Sequence, residues 1–138
     1  AMLESTEVEG KKINTLIKEG KISQERLNQI VDRTKKGGAE IVKYLEKGSA
    51  FYAPAASGIE MAECYLKDLK KQIPCAAHLD GEYGFKNIYA GVPVVIGANG
   101  VEKIIELELS ETEKKDFNHS IQSVKDLFEA ARKIDSSL

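Results

Sequence analysis

The sequence predicts an α+β domain in which helices come first, an antiparallel meander follows and a final helix closes the chain. Three observations carry this. Residues 23–45 repeat apolar side chains at helical spacing. Between Ile73 and Leu109, β-prone runs are punctuated by Asp80-Gly81 and by Gly97-Ala98-Asn99-Gly100. Ser110-Glu111-Thr112-Glu113 then opens an amphipathic stretch with a capping-box sequence. Helices packed on an antiparallel sheet are one of the few stable layer solutions.

Residues 11–19 are expected as a short helix stopped by Gly20. Ser23 is a good N-cap for the next helix, with Glu25 in the first turn where the helix dipole favours negative charge. Its face for burial comprises Leu27, Ile30, Val31, Thr34, Ile41, Val42 and Leu45. Gly37-Gly38 interrupts that face. Two glycines inside a helix cost about 2 kcal/mol against alanine. They read either as a helix break or close-packing point, or as a place where a ligand or another backbone passes. Residues 48–58 are dense in small side chains. A loop to about Ser49 is expected there, then a helix to about Lys71 with Pro54 in its first turn and Ile59, Ala62, Tyr65, Leu66 and Leu69 inward.

Ile73–Leu79 and Ile88–Ile96 read as strands, with Pro93 marking a bulge or an edge. Val101–Leu109 reads as a third, since Ile105, Leu107 and Leu109 alternate with Glu106 and Glu108. The closing helix repeats Phe117, Ile121, Val124, Phe128 and Ala131 on one side to about Ile134.

With 138 residues, 42% hydrophobic and 30% charged, the chain fits one globular domain. Its longest uncharged run, 88–101, contains Pro93 and several glycines and is too short to cross a bilayer. A net charge of -2 gives no electrostatic case for nucleic-acid binding. Cys64 and Cys75 stand apart without a CxxC pair, which argues against a disulfide framework or a zinc site and suits a reducing cytosol. The acidic N-terminus does not read as a signal peptide. No glycine loop of the phosphate-binding type and no Gly-x-Ser-x-Gly elbow is present. His78 and His119 are the two histidines, and neither has a sequence-local carboxylate partner that stands out. They read as a strand histidine and a helix-surface histidine, and Tyr83 and Tyr89 as packing aromatics. Composition and spacing alone name no reaction.

Four segments do resemble a known family: 20–57, 58–68, IPCAAHLDGEYG (73–84) and 89–114. The pairing of GSAFYAPAAS (48–57) with GVPVVIGANGVEKI (91–104) is the most specific feature. They resemble the NAD-dependent malate dehydrogenases of the lactate/malate dehydrogenase family, over the C-terminal part of that enzyme only. The resemblance implies that residues 1–138 form a single substrate-side domain, with the NAD-binding Rossmann domain absent and the catalytic histidine lying shortly before Leu3. In the family a histidine in a His-Gly-Asp motif pairs with an aspartate, and arginines hold the dicarboxylate. All of these precede the matched region. His78 falls where the family commonly shows tyrosine and is not assigned as the base.

By resemblance, then, no catalytic residue and no metal site is expected in this chain. Gly38, Ser49 and Ala50 are expected to wall the substrate pocket, and Pro54 to lie toward the nicotinamide ring. The implied reaction of the parent is the reversible oxidation of L-malate to oxaloacetate in the citric acid cycle. The parent would be a bacterial, cytoplasmic homo-oligomer with neither nucleic acid nor membrane as partner. The 138-residue chain alone is expected to be inactive and to bind NAD weakly. The same domain of an L-lactate dehydrogenase, or a non-enzymatic interaction module of this fold, are the alternatives.

Overall fold

A computed structural model describes residues 2–135 and Ser137. The elements in chain order are strands β1 (Glu7–Val8) and β2 (Lys11–Lys12), helices α1 (Ile13–Lys18), α2 (Gln24–Leu45) and α3 (Tyr52–Leu66), strands β3 (Lys71–Asp80), β4 (Lys86–Gly97) and β5 (Gly100–Ile104), and helix α4 (Glu111–Ile134). The α+β expectation holds: both sheets are antiparallel, one of β1-β2 and one of order β3-β4-β5. The chain divides into two compact units, Ala1–Ile59 and Glu60–Leu138.

The first unit begins with a hairpin that the sequence reading missed. Lys11–Lys12, expected as helix, pair instead with Glu7–Val8, and α1 starts only at Ile13. Gly20 stops α1 as expected. At φ 69° it lets its own N–H reach Ile17 and that of Lys21 reach Leu16, the two closing bonds of a Schellman motif. Ser23 caps α2 by accepting from the Arg26 N–H at 3.1 Å. The helix then runs unbroken through Gly37-Gly38, so the expected break is absent. The face expected to be buried is also largely open. Leu27 is buried, but Ile30, Ile41, Val42 and Leu45 are exposed. Amphipathic spacing identifies an apolar face but not what covers it.

Helix α3 starts at Tyr52 and ends at Leu66, short of Lys71. Asp68, in the left-handed region at φ 48°, closes it: Leu69 N–H bonds to Cys64 O at 3.0 Å and Asp68 N–H to Tyr65 O at 3.5 Å. Of its apolar residues Cys64 is the one that is buried, whereas Ile59, Tyr65 and Leu66 are exposed, as is Leu69 beyond its end. The Asp68 carboxylate also accepts from Ala98 N–H, fastening this helix end to the β4–β5 turn.

In the second unit β4 is the central strand. Ile88, Ala90, Val92, Val94 and Ile96 alternate inward and are all buried, joined by Ile73, Ala77 and Leu79 of β3, by Cys64 and by Ile121 of α4. Pro93 is therefore on neither an edge strand nor a bulge, since the β4–β5 register slips between Val95 and Ile96. It sits opposite Pro74. Two facing prolines can only form a non-hydrogen-bonded pair, so their missing donors point away from each other. That of Pro74 faces the open edge of β3. Pro93 faces the far end of β5, where its carbonyl still accepts from Ile105 N–H.

The third strand is shorter than expected. β5 ends at Ile104, although Ile105, Leu107 and Leu109 remain half-buried in alternation with exposed Glu106 and Glu108. Tyr83, in the turn between β3 and β4, takes over the pairing. Its hydroxyl donates to Ile105 O at 2.8 Å and accepts from Leu107 N–H at 3.0 Å, and its own N–H donates to the Glu106 carboxylate at 2.6 Å. The capping box forms as expected, with Ser110 Oγ accepting from Glu113 N–H and Glu113 accepting from Ser110 N–H. Helix α4 then packs Phe117 and Ile121 on the sheet, while Val124 and Phe128 stay more than a third exposed.

The Tyr83 hydroxyl serves two backbone groups that have lost their strand. Tyr83→Phe is expected to destabilise the chain by about 1–2 kcal/mol, because both groups lose their partner. Urea denaturation followed by circular dichroism measures it, and an unchanged midpoint contradicts the assignment.

Candidate functional site

The four residues expected to wall a pocket all fall in the first unit. Gly38 lies inside α2, about 10 Å of helix rise before its end. Ser49 and Ala50 lie in the connection between α2 and α3. Pro54 is the third residue of α3. Gly38, Ser49 and Pro54 are exposed and Ala50 is half-buried.

Local chemistry explains why the chain tolerates these residues here. The Glu46 backbone at φ 60° ends α2, and Gly48 at φ 94° turns the chain. A side chain at Gly48 would meet the Phe51 ring at 3.0 Å, so both φ and space favour glycine. The first α-helical bond of α3 is Ala55 N–H to Phe51 O. Pro54 lies before it, where its absent N–H has no helical partner to lose. This first turn carries no acidic side chain.

The Gly37-Gly38 pair behaves differently. An added Cβ at either position meets nothing within 4 Å, and neither residue has positive φ. Neither turn geometry nor close packing among the described residues requires glycine. Of the sequence readings, the helix break is overturned, and no described residue packs closely against Gly38.

A groove of about 450 Å³ runs along α2 beside this pair, lined by Arg26, Arg33, Gly37, Glu40 and Tyr44 among others. Gly37 belongs to it; Gly38, Ser49, Ala50 and Pro54 do not. Across it Arg33 forms a two-pronged contact with Glu40, Nε to Oε2 at 3.2 Å and Nη2 to Oε1 at 3.0 Å. The contact holds the Glu40 carboxyl below the usual carboxylate range and the Arg33 guanidinium above its usual value. The sequence reading missed this pair, although its spacing of two helical turns on one face was available as a signal. Of the two arginines that line the groove, Arg33 is thus engaged by Glu40, and Arg26 donates to Gln29 at 3.4 Å.

The histidines stand elsewhere. His78 packs edge-on against Tyr89 at 5.3 Å in the second unit. His119 is exposed on α4, its carbonyl accepting from Ser123. Cys75 is half-buried, and burial pushes its thiol up. Among the described residues no group of three or more His, Cys, Asp or Glu is placed to hold a metal ion. No described helix is long and apolar enough to cross a membrane.

A family profile described as lactate/malate dehydrogenase, alpha/beta C-terminal domain, matches residues 1–134. The chain is 68% identical over 133 residues to a malate dehydrogenase of Pelagibacter ubique, covering 96% of this chain and 42% of that protein. It is 54% identical over 137 residues to a malate dehydrogenase of Caulobacter vibrioides, covering 99% and 43%. Among solved structures it is similar to a malate dehydrogenase of Cryptosporidium parvum, with TM-score 0.91, 41% identity and 95% of this chain against 42% of that one. It is similarly close to a lactate dehydrogenase of Eimeria maxima solved with NADH and oxamate, with TM-score 0.93, 41% identity and 98% against 42%. The chain thus spans about two fifths of the length of the relatives it matches.

The Arg33–Glu40 contact predicts a pH signature. Because the folded carboxyl titrates below its unfolded value, its stabilising contribution is present above the unfolded midpoint and is lost as pH falls through the folded one. Arg33→Gln is expected to return the Glu40 midpoint upward, toward a free carboxylate, in a side-chain NMR titration. A midpoint unmoved by the substitution contradicts the contact.

Proposed function

The chain belongs to the lactate/malate dehydrogenase family as its α/β C-terminal domain, and from that premise we propose that it is the single substrate-side domain of a longer NAD-dependent malate dehydrogenase. The observation that carries the reading is its high identity, over nearly its whole length, to full-length proteins named malate dehydrogenase. The parent would oxidise L-malate reversibly to oxaloacetate within the citric acid cycle of a bacterial cytoplasm, with NAD supplying the hydride acceptor. The histidine that takes the hydroxyl proton, the aspartate that orients it and the arginines that clamp the dicarboxylate belong, on this reading, to the remainder of the parent.

This chain's own part is to shape and dry one wall. Open space beside Gly38 and the small side chains of Ser49 and Ala50 allow a small dicarboxylate to lie against backbone. Pro54 and the alanines around it present no long side chain where a flat nicotinamide ring approaches. These residues fit the role because they are small and uncharged, Gly38 and Pro54 set in helices and Ser49 and Ala50 in the short connection between them. Excluding water there strengthens the charge contacts supplied from elsewhere. The exposed Ile30, Ile41, Val42 and Leu45 of α2 support a homo-oligomer, since a single chain leaves this apolar face uncovered.

The second reading is the same domain of an L-lactate dehydrogenase. What favours it is that a lactate dehydrogenase overlays the chain as well as a malate dehydrogenase does. The fold is thus neutral between the two, and sequence identity leans to malate. Steady-state assays of the parent protein decide between them: oxaloacetate is expected to be reduced far faster than pyruvate, and the reverse order overturns the malate reading. The 138-residue polypeptide by itself is expected to oxidise NADH with oxaloacetate no faster than background, and turnover above background contradicts the division of labour.

Gly38→Ala separates a pocket wall from a merely tolerated glycine. In the 138-residue chain the substitution is expected to stabilise by about 0.5–1 kcal/mol, because helix interiors prefer alanine and the added methyl meets nothing. In the parent it is expected to lower kcat/KM for oxaloacetate about tenfold or more, a loss of about 1.4 kcal/mol in transition-state binding. A stabilised parent with unchanged kcat/KM removes Gly38 from the wall.

A further inference from the structure

One cavity in the second unit lies apart from the proposed pocket wall. It measures about 270 Å³ and lies between the start of β4 and the last turns of α4. None of Gly38, Ser49, Ala50 or Pro54 lines it.

Its construction departs from a regular strand. Four consecutive residues, Lys86 to Tyr89, all line it. In a pleated strand successive side chains alternate faces, so two of the four would turn away. A bulge accounts for the difference. Asp80 pairs with Lys86 and Leu79 with Ile88, leaving Asn87 as an extra residue in the left-handed region at φ 54°. Such bulges bend a strand and re-aim its side chains.

The lining is amphipathic in one sense only. Its apolar surface comes from Ile88, Val124 and Phe128, with the Tyr89 ring, itself edge-on to His78, completing it. Phe128 and Tyr89 remain about half exposed or more, at 48% and 62%. Two lysines line the same cavity, Lys86 and Lys125. Lys125 Nζ stands 5.7 Å from the Phe85 ring centroid. Among the described residues neither lysine has an ion-pair partner. The cavity lining contains no carboxylate. Three acidic side chains of neighbouring segments have other contacts, Glu129 with Arg132 at 3.9 Å, Asp126 with Gln122 and Glu82 with Asp80 N–H, while Asp80 stands opposite Lys86 in the strand register with no ion pair between them among the described residues. Arg132 stacks at 4.6 Å on Phe128 and is paired with Glu129.

We propose that this cavity binds a small aromatic carboxylate, its ring against Ile88, Val124 and Phe128 and its carboxylate between Lys86 and Lys125. The size fits: a cavity of about 150 Å³ accommodates benzene, and drug-sized ligands need about 300 Å³ or more. One ring with a short acidic arm lies between these limits. The charge also fits, because two unpaired ammonium groups on an apolar surface favour an anion that brings its own apolar body. The site is independent of the malate reading, since it shares no residue with the proposed pocket wall.

The test uses the full 138-residue chain, labelled with nitrogen-15, and 3-phenylpropanoate as the probe. Saturable amide shifts are expected at residues 86–89 and 124–128, with millimolar affinity or better. Lys86→Gln/Lys125→Gln is expected to weaken binding at least about fivefold while leaving the remaining spectrum unchanged, and neutral 3-phenylpropanamide to bind at least about fivefold more weakly than the acid. The proposal is overturned if no saturable shift appears up to about 10 mM, if the amide or the double variant binds as well as the acid and parent chain, or if the shifts map to α2 and α3. It is likewise overturned if the same amides move on dilution of the ligand-free chain, which would mean that a second copy occupies the cavity.

Discussion

The inward face of β4 sets the geometry of the second unit. Five alternating residues, Ile88 to Ile96, are buried on one side of the central strand. Each large aliphatic among them contributes about 1.5–3 kcal/mol through burial. Because side chains alternate with a period of two, a slip of one residue would turn this whole set outward and expose Tyr89, Gly91 and Pro93 to the core instead. The register therefore follows from the burial. It places the two prolines opposite each other, where neither loses a ladder bond to the other, and it fixes the position of the turn that carries Tyr83. Tyr83 in turn holds the segment after β5, which leads into the capping box of α4.

The first unit works under a different constraint. Its helices are regular, yet their small residues answer no need visible within them. At Gly48 glycine is explained by φ and by the Phe51 ring. At Gly37 and Gly38 it is not, and a helix that gives up about 1 kcal/mol at each position carries a cost that its own packing does not offset. Openness at Gly38, small side chains at Ser49 and Ala50, and a proline placed where it costs no hydrogen bond are the features on which the proposed pocket wall rests. That physical character, joined to the family membership, is the basis for reading this surface as a pocket wall.

Much of this was legible in the sequence where the signal is local. Ser23 and the Ser110–Glu113 box announced their helices because caps are set by a few adjacent residues. Gly97 to Gly100 announced its hairpin for the same reason, and Gly20 its helix stop. Signals that depend on distant partners were misread. The alternation from Ile105 to Leu109 is present in burial, but the ladder with β4 ends at the Ile105 N–H to Pro93 bond, and a hydroxyl from Tyr83 serves Ile105 O and Leu107 N–H in its place. Pro93 looked like an edge because a lost donor is costly in a central strand, and only its pairing with Pro74 shows how the cost is avoided. The β1–β2 hairpin has two residues per strand, too few for any periodicity, and all are exposed. For the candidate site, residue identity came from resemblance. The sequence could not show that α2 stays intact across its glycines, nor that Arg33 reaches across the groove to Glu40.

The central claim is that this chain supplies the pocket wall of a malate-oxidising enzyme and leaves the reacting groups to another part of the parent. A chimera tests it most directly: in a full-length malate dehydrogenase relative, the segment that this chain matches is replaced by this chain, and folding is confirmed by circular dichroism. The account predicts NADH oxidation by oxaloacetate within about tenfold of the relative's own kcat/KM, with oxaloacetate still preferred over pyruvate. A folded chimera that lacks oxaloacetate turnover, or that turns over pyruvate in its place, contradicts it.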